Sequence, residues 1–188
     1  MNLIIFGPPG AGKGTQSDFI VKKYNLLQIS TGKILRDEIK NKTELGNRIS
    51  TLMSSGSLVD DVVVNKLIEN IVSEKKYANK FIFDGYPRNL NQANNLNNLL
   101  KNHGQKIDIV LKLSVSLEII KKRISERQTL EKRPDDNAEI AIKRYKTYEK
   151  STEPVIEYYK KLNLLRVIDG ERSIDQINKE ISDIIDLI

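Results

Sequence analysis

Five short apolar runs rich in Ile, Val, Leu and Phe are spread along the chain: Asn2–Phe6, Leu27–Ile29, Lys80–Phe83, Ile109–Leu113 and Leu165–Ile168. Runs of this length and composition suit strands buried in a parallel sheet. Between them the apolar positions recur at helical spacing, around Lys13–Tyr24, Val62–Lys76, Leu90–Lys101, Ser116–Arg127, Ala138–Leu162 and Ile174–Ile185. The alternation predicts an α/β fold: a five-stranded parallel sheet, helices on both faces, and ligand at the strands' C-terminal ends. Two segments break the rhythm. Ser30 to about Asp60 inserts two helical stretches with no strand between them, separated near Asn41–Thr43. A polar, turn-rich segment from about Gln128 to Asn137 splits two long helices. Both begin where ligands should bind, so they read as mobile elements that close over substrates. The Asn-rich stretch Asn89–Asn98 stays helical, because Leu90, Ala93, Leu96, Leu99 and Leu100 keep their spacing through it. There is no internal repeat.

Composition narrows the class. A chain of 188 residues suits one domain. No uninterrupted apolar run approaches the roughly 20 residues of a membrane span, and glycines interrupt the N-terminal run where a signal peptide would continue. With no cysteine there are no disulfides and no thiolate metal sites, as suits a cytoplasmic enzyme. The net charge of +6 could point to nucleic acid. However, the lysines alternate with acids along helical faces, as Lys121 and Lys122 do with Glu118 and Glu126, which is the pattern of solvated surface. Arginine is used differently. There are only nine: Arg36, Arg48, Arg88, Arg123, Arg127, Arg133, Arg144, Arg166 and Arg172. A chain that takes lysine for generic charge keeps arginine for planar, bidentate contacts, so these nine are a short list of phosphate clamps.

The first apolar run leads straight into Gly7-Pro8-Pro9-Gly10-Ala11-Gly12-Lys13-Gly14-Thr15, and a helical pattern follows. Strand, glycine loop and helix form the setting of a phosphate-binding loop. Glycines let successive N–H groups turn inward around a polyphosphate, the helix start adds its dipole, and Lys13 adds a point charge. The hydroxyl that usually follows the lysine comes one residue later, at Thr15. A second motif, Phe81-Ile82-Phe83-Asp84-Gly85-Tyr86-Pro87-Arg88, ends a buried strand in a carboxylate. Asp84 can orient waters around Mg²⁺ beside the loop, or cap the turn at Gly85. Arg88 follows a stiff Tyr-Pro step that aims it at the cleft.

With these motifs the sequence resembles the nucleoside monophosphate kinases, and most closely the adenylate kinases. The resemblance runs almost end to end. It is carried by Gly7–Thr15, Gln28–Gly32, Leu35-Arg36, Gly56–Val59, Asp84–Arg88 with Gln92, Arg123 and Arg127, Arg133–Asn137, Lys143-Arg144, and Asp169-Gly170. It implies a phosphate-loop, three-layer fold with a core of residues 1–29, 60–125 and 137–188, a monophosphate-binding segment at 30–59 and a short lid at 126–136. It implies transfer from MgATP to AMP giving two ADP, with ATP, AMP and ADP as the only partners. Neither nucleic acid nor membrane is expected, and the molecule is expected to be a monomer.

The same resemblance assigns the residues. ATP is expected at Gly10, Ala11, Gly12, Lys13, Gly14, Thr15, Arg127 and Arg172. AMP is expected at Thr31, Arg36, Ser57, Leu58, Val59, Gly85, Tyr86, Pro87, Arg88, Gln92, Arg133 and Arg144. Catalysis is expected from Lys13, Asp84, Arg88, Arg123, Arg127, Arg133 and Arg144. Mg²⁺ is expected through nucleotide phosphates and waters near Thr15 and Asp84 with no direct protein ligand, and no zinc is expected. Asp135 and Asp136 either cap the following helix, Asp136 and Glu139 being spaced as a capping box, or orient lid arginines.

Base choice falls on Thr31 and Gln92, since the glutamine amide can accept from an adenine amino group and donate to a ring nitrogen. Relatives that prefer UMP or CMP usually carry alanine and asparagine there. A UMP/CMP kinase is therefore the nearest alternative, and a nucleotide-dependent switch a more distant one. Two departures lie in the monophosphate segment: Lys33 stands where adenylate kinases usually have aspartate, and Ser57 where many have lysine. The only histidine, His103, lies in a polar turn away from every motif and is read as surface.

Overall fold

The computed structural model describes residues 1–131 and 138–188. Five parallel strands form one sheet in the order β2-β3-β1-β4-β5: β1 (Leu3–Phe6), β2 (Leu27–Ser30), β3 (Phe81–Asp84), β4 (Ile109–Ser114) and β5 (Leu165–Asp169). Alternate residues of each strand point to opposite faces, and both faces are buried. Ile4, Phe6, Phe81, Phe83 and Val110 enter one apolar cluster, while Leu3, Ile5, Ile82, Ile109 and Leu111 enter the other. On the first face lie α4 (Asp61–Val72), α5 (Leu90–Asn102) and α7 (Ala138–Lys161). The second carries α1 (Lys13–Tyr24), α6 (Leu117–Glu131) and α8 (Ile174–Ile185). The expected three-layer α/β fold is the observed one. Side chains such as Phe83, Ile68 and Leu96 are fully buried, each stabilising the fold by about 1.5–3 kcal/mol relative to exposure.

The differences from the sequence reading lie at element ends. α4 stops at Val72, and a short 3₁₀ turn at Lys75–Tyr77 takes up the rest of the expected helix. Ser73 follows the last turn, and its hydroxyl donates to Glu69 O at 2.8 Å, competing with the backbone ladder. α6 runs to Glu131, four residues beyond Arg127. The insertion after β2 is helical as read, with α2 (Thr31–Lys40) and α3 (Glu44–Ser54).

The sheet order decides where chemistry can sit. β1 lies between β3 and β4, so the loop leaving β1 opens at the point where the chain turns to opposite sides of the sheet. Ile5 of β1 pairs across with Asp84 of β3, and Ser30 of β2 pairs with Asp84 from the other side. The ends of three strands therefore surround one carboxylate beside the glycine loop.

Candidate active site

A cleft of about 820 Å³ opens at that end of the sheet. One wall is the loop between β1 and α1. Gly12 is the N-cap of α1 with φ of 92°, a left-handed conformation that glycine adopts without strain. Among the described residues no side chain caps this helix, whereas Thr43, Asp60, Asn89 and Ser173 cap α3, α4, α5 and α8. The first-turn N–H groups of α1 thus stay available for an anion. Lys13 folds back over the loop, and its Nζ donates to Gly7 O at 2.7 Å and Pro8 O at 3.1 Å.

Asp84 is only 9 % exposed. Its carboxylate accepts from Gln28 Nε2 at 3.2 Å and Ser30 Oγ at 3.3 Å, two donors supplied by β2. That pairing holds the side chain toward the cleft rather than down onto the Gly85 turn. Gln28 and Ser30 belong to the quoted motifs but carried no expected role, because which strand lies beside β3 is not legible from the chain order.

The arginines converge. Arg36, Arg88, Arg123, Arg127 and Arg144 all line the cleft with Lys13. Burial pushes the Lys13 amine down to about 8; the Asp84 charge opposes this, while Arg88, Arg144 and Arg127 add to it. Arg88 is pushed down to about 10, first by burial and then by Arg144, with Arg36 adding and Asp84 opposing. These cations raise one another's free energy in the absence of an anion, so the cleft is charged in advance for a polyanion. Close backbone approach makes the crowding possible. A Cβ on Gly85, whose φ is 75°, would stand 3.0 Å from Arg88 Nη2, and one on Gly56 would stand 3.1 Å from Arg144 Cγ. Arg88 Nε donates to Gly85 O at 2.7 Å, and its own carbonyl accepts from Thr152 Oγ1 at 3.2 Å. Thr152 lies eight residues after Arg144, on the same face of α7. Tyr148, four residues after Arg144, also lines the cleft; burial raises its phenol pKa, and its hydroxyl has no partner among the described residues.

The remaining expected residues fall into layers. Gly10, Gly12, Gly14, Thr15, Ser57, Leu58, Gly85 and Pro87 line the cleft, and so does Lys33, one of the two departures. Ser57 receives a bond from Lys143 Nζ of α7 at 3.4 Å, so an amine does stand at this point, supplied from across the cleft. Ala11, Val59 and Tyr86 are buried behind the lining. Thr31 and Gln92 are also behind it, 3 % and 2 % exposed. Thr31 Oγ1 donates to Gly85 O at 2.8 Å. Arg123 is tied at its Nη2 to Gly170 O at 2.9 Å, linking the loop after β5 to α6. Arg172 lies outside the cleft lining, ion-paired with Glu180 and, at 3.7 Å, with Asp169. Arg133, Asp135 and Asp136 lie outside the described residues, as does the proposed start of the Asp136–Glu139 capping box. His103 is exposed, as read, and its Nδ1 lies 2.8 Å from Leu99 O. Among the described residues no group of three or more His, Cys, Asp or Glu is placed to hold a metal ion.

The family model described as adenylate kinase matches residues 5–164. Curated relatives called adenylate kinase align over nearly full length. The protein of Pelagibacter ubique is 46 % identical, covering 98 % of this chain and 99 % of its own. That of Flavobacterium psychrophilum is 40 % identical over 98 % of each chain, and that of Caulobacter sp. 42 % over 94 % of each.

Proposed function

Because the chain belongs to the adenylate kinase family, we propose a residue-level account of how it moves a phosphoryl group reversibly from ATP to AMP, giving two ADP. The observation that carries the account is the convergence of Lys13, Arg36, Arg88, Arg123, Arg127 and Arg144 with Asp84 on one cleft. Phosphoryl transfer passes through a loose transition state whose negative charge is spread over the transferring oxygens. The acceptor is itself a phosphate oxygen, ionised near neutrality because its second pKa is about 6, so no general base is required. The task left to the protein is to hold two polyanions in line and exclude water.

Lys13 and the N–H groups of the glycine loop hold the ATP phosphates, with Arg123 and Arg127 gripping them from α6. Arg36 and Arg88 hold the AMP phosphate. Arg144, and Arg133 beside it in the family pattern, sit over the transferring group. Residues 30–59 receive AMP, and residues 126–136 act as a short lid; closure of both keeps water from accepting the phosphoryl group. The Thr15 hydroxyl and the Asp84 carboxylate are hard oxygen donors facing the same space, which suits a Mg²⁺ ion held mainly through phosphates and waters. When bound, that ion would offset charge on the phosphate oxygens. A monomeric state is part of the proposal. No helix among the described residues is long and apolar enough to cross a membrane, and a cytoplasmic location is part of the proposal.

A coupled assay with ATP and each of AMP, CMP, UMP and GMP tests the reading. Rapid ADP formation with AMP alone is expected. Comparable turnover of CMP or UMP, or hydrolysis without an acceptor, would overturn it.

The Lys13 amine supplies a second prediction. Bound ATP favours its charged form, while the free protein holds its pKa near 8 rather than the ordinary 10.5. ATP binding therefore takes up a proton above about pH 8, and affinity falls by up to about tenfold per pH unit in that range. For the free protein the sign is opposite. The unfolded chain binds the proton more tightly, so the contribution of Lys13 to stability rises with pH from about 8 to 10.5. Calorimetric titration of ATP at pH 9, in buffers of different ionisation heat, measures the uptake; a heat independent of buffer would contradict it.

A further inference from the structure

Away from the phosphate groups, a dense set of hydrogen bonds joins the first turns of α4 and α5. Asp61, the first residue of α4, accepts from Asn89 Nδ2 at both carboxylate oxygens, each at 3.0 Å. It also accepts from Gln92 Nε2 at 2.6 Å. At the other end of the same amide, Gln92 Oε1 accepts from Arg88 N at 2.7 Å. Asn89 completes the ring by capping α5, its Oδ1 accepting from Gln92 N at 2.8 Å. Tyr86 packs beside it, its hydroxyl donating to Asn65 Oδ1 at 2.7 Å and reaching Gln92 O at 3.2 Å.

A glutamine amide carries two N–H donors and two acceptor positions, and rotation by half a turn exchanges its ends. Here the exchange is blocked twice. Turned over, Oε1 would face the Asp61 carboxylate with no proton between them, and Nε2 would face the Arg88 N–H. Each end has one protein partner, and no other hydrogen bond to the amide is made among the described residues. One N–H and one oxygen lone pair are left, in a fixed order.

We propose that Asp61 is a specificity-determining positioning residue: by holding the Gln92 amide in one orientation, it makes the acceptor site take a 6-aminopurine monophosphate and reject the 6-oxo counterpart. This rests on the reading that Gln92 faces the base. Adenine offers a ring acceptor beside an amino donor, which pairs with the remaining N–H and lone pair. Hypoxanthine offers a ring donor beside an oxo acceptor, so both pairings fail. Sites built on such pairings discriminate strongly, because the wrong partner leaves buried polar groups unmatched. Asp61 acts without touching the nucleotide.

The test compares kcat/KM for AMP and for IMP in wild type, Asp61→Asn, Asp61→Glu and Gln92→Ala. Asparagine at 61 can donate as well as accept, so the amide is no longer held from the α4 side. The AMP-to-IMP ratio is expected to fall at least tenfold in Asp61→Asn, with KM values moving more than kcat. Asp61→Glu, which keeps the carboxylate, is expected to recover most of the ratio. Equal losses for both substrates, with the ratio intact, would assign Asp61 a purely structural role and overturn the proposal. A ratio unchanged in Gln92→Ala would remove the underlying reading of Gln92. A ratio lost in Gln92→Ala but kept in Asp61→Asn would remove only the role of Asp61. Should Asp61→Asn not fold, Asp61→Ser, whose hydroxyl also donates and accepts, takes the same measurement.

Discussion

Arg88→Ala is expected to lower kcat/KM for AMP by about a hundredfold or more, while the free protein melts no lower than wild type. The loss corresponds to ~3 kcal/mol of transition-state stabilisation, the size found when one preorganised donor is removed. The unchanged melting temperature follows from electrostatics. Burial and Arg144 both push the Arg88 guanidinium below its ordinary range, so in the absence of nucleotide this charge opposes folding. Its removal does not orphan a buried carbonyl either, because Gly85 O still accepts from Thr31 Oγ1. Arg88→Lys should recover only part of the activity, since a point charge cannot match a phosphate with two parallel bonds. Coupled kinetics and a melting curve of the same sample measure both quantities. Retention of more than a tenth of wild-type kcat/KM would remove Arg88 from its proposed role, and a large drop in melting temperature would show that it is structural instead.

Gly46→Ala should disable the acceptor side by a different route. Gly46 lies in α3 where that helix crosses α2, and a Cβ there would stand 2.1 Å from Glu38 O and 2.7 Å from Ile39 N. These are backbone atoms of a packed helix and cannot swing aside as a flexible side chain would. The Gly46 N–H also holds the N-cap, donating to Thr43 Oγ1 at 3.0 Å, so separating the helices strains the cap. Overpacking of this kind typically costs about 1–3 kcal/mol, and overlap with backbone belongs at the upper end. The cost falls on α2 and α3, which carry Arg36 and lead to Ser57 and Leu58, and leaves the glycine loop untouched. KM for AMP should therefore rise about tenfold or more while the affinity for ATP stays near wild type. Hydrogen exchange should increase in residues 31–54 and not in α1. Equal losses of both nucleotides would refute this separation.

These two positions differ in how far the chain alone exposes them. Arg88 is legible because its signal is local: a buried apolar strand, a carboxylate, a glycine and a stiff Tyr-Pro step lie within eight residues. Gly46 carries no such signal. It is a glycine inside a helical pattern, and its importance comes from a second helix whose carbonyl lies against it. The same contrast separates Lys13, announced by its neighbours, from Thr152, which meets Arg88 O only because α7 packs across α5 and the end of β3.

What the sequence determined by itself is periodic and local. Apolar spacing set the strand and helix order, glycine spacing set the phosphate loop, and the sparing use of arginine left a short list of nine, five of which line the cleft. Folding decided which of those residues share a space and which atoms of each side chain remain free. Arg36, Arg88, Arg123, Arg127 and Arg144 meet Lys13 across a span of more than a hundred residues because the strand order places β1 between β3 and β4. Gln92 keeps one N–H and one oxygen lone pair in a fixed order because Asp61 and the Arg88 N–H each take up one end of its amide, and Arg172, engaged by Glu180 and Asp169, lies outside the cleft lining. The reason is physical: periodicity reflects solvent exposure and is written residue by residue, whereas a hydrogen bond acts over about 3 Å and exists only once two distant elements have been packed together.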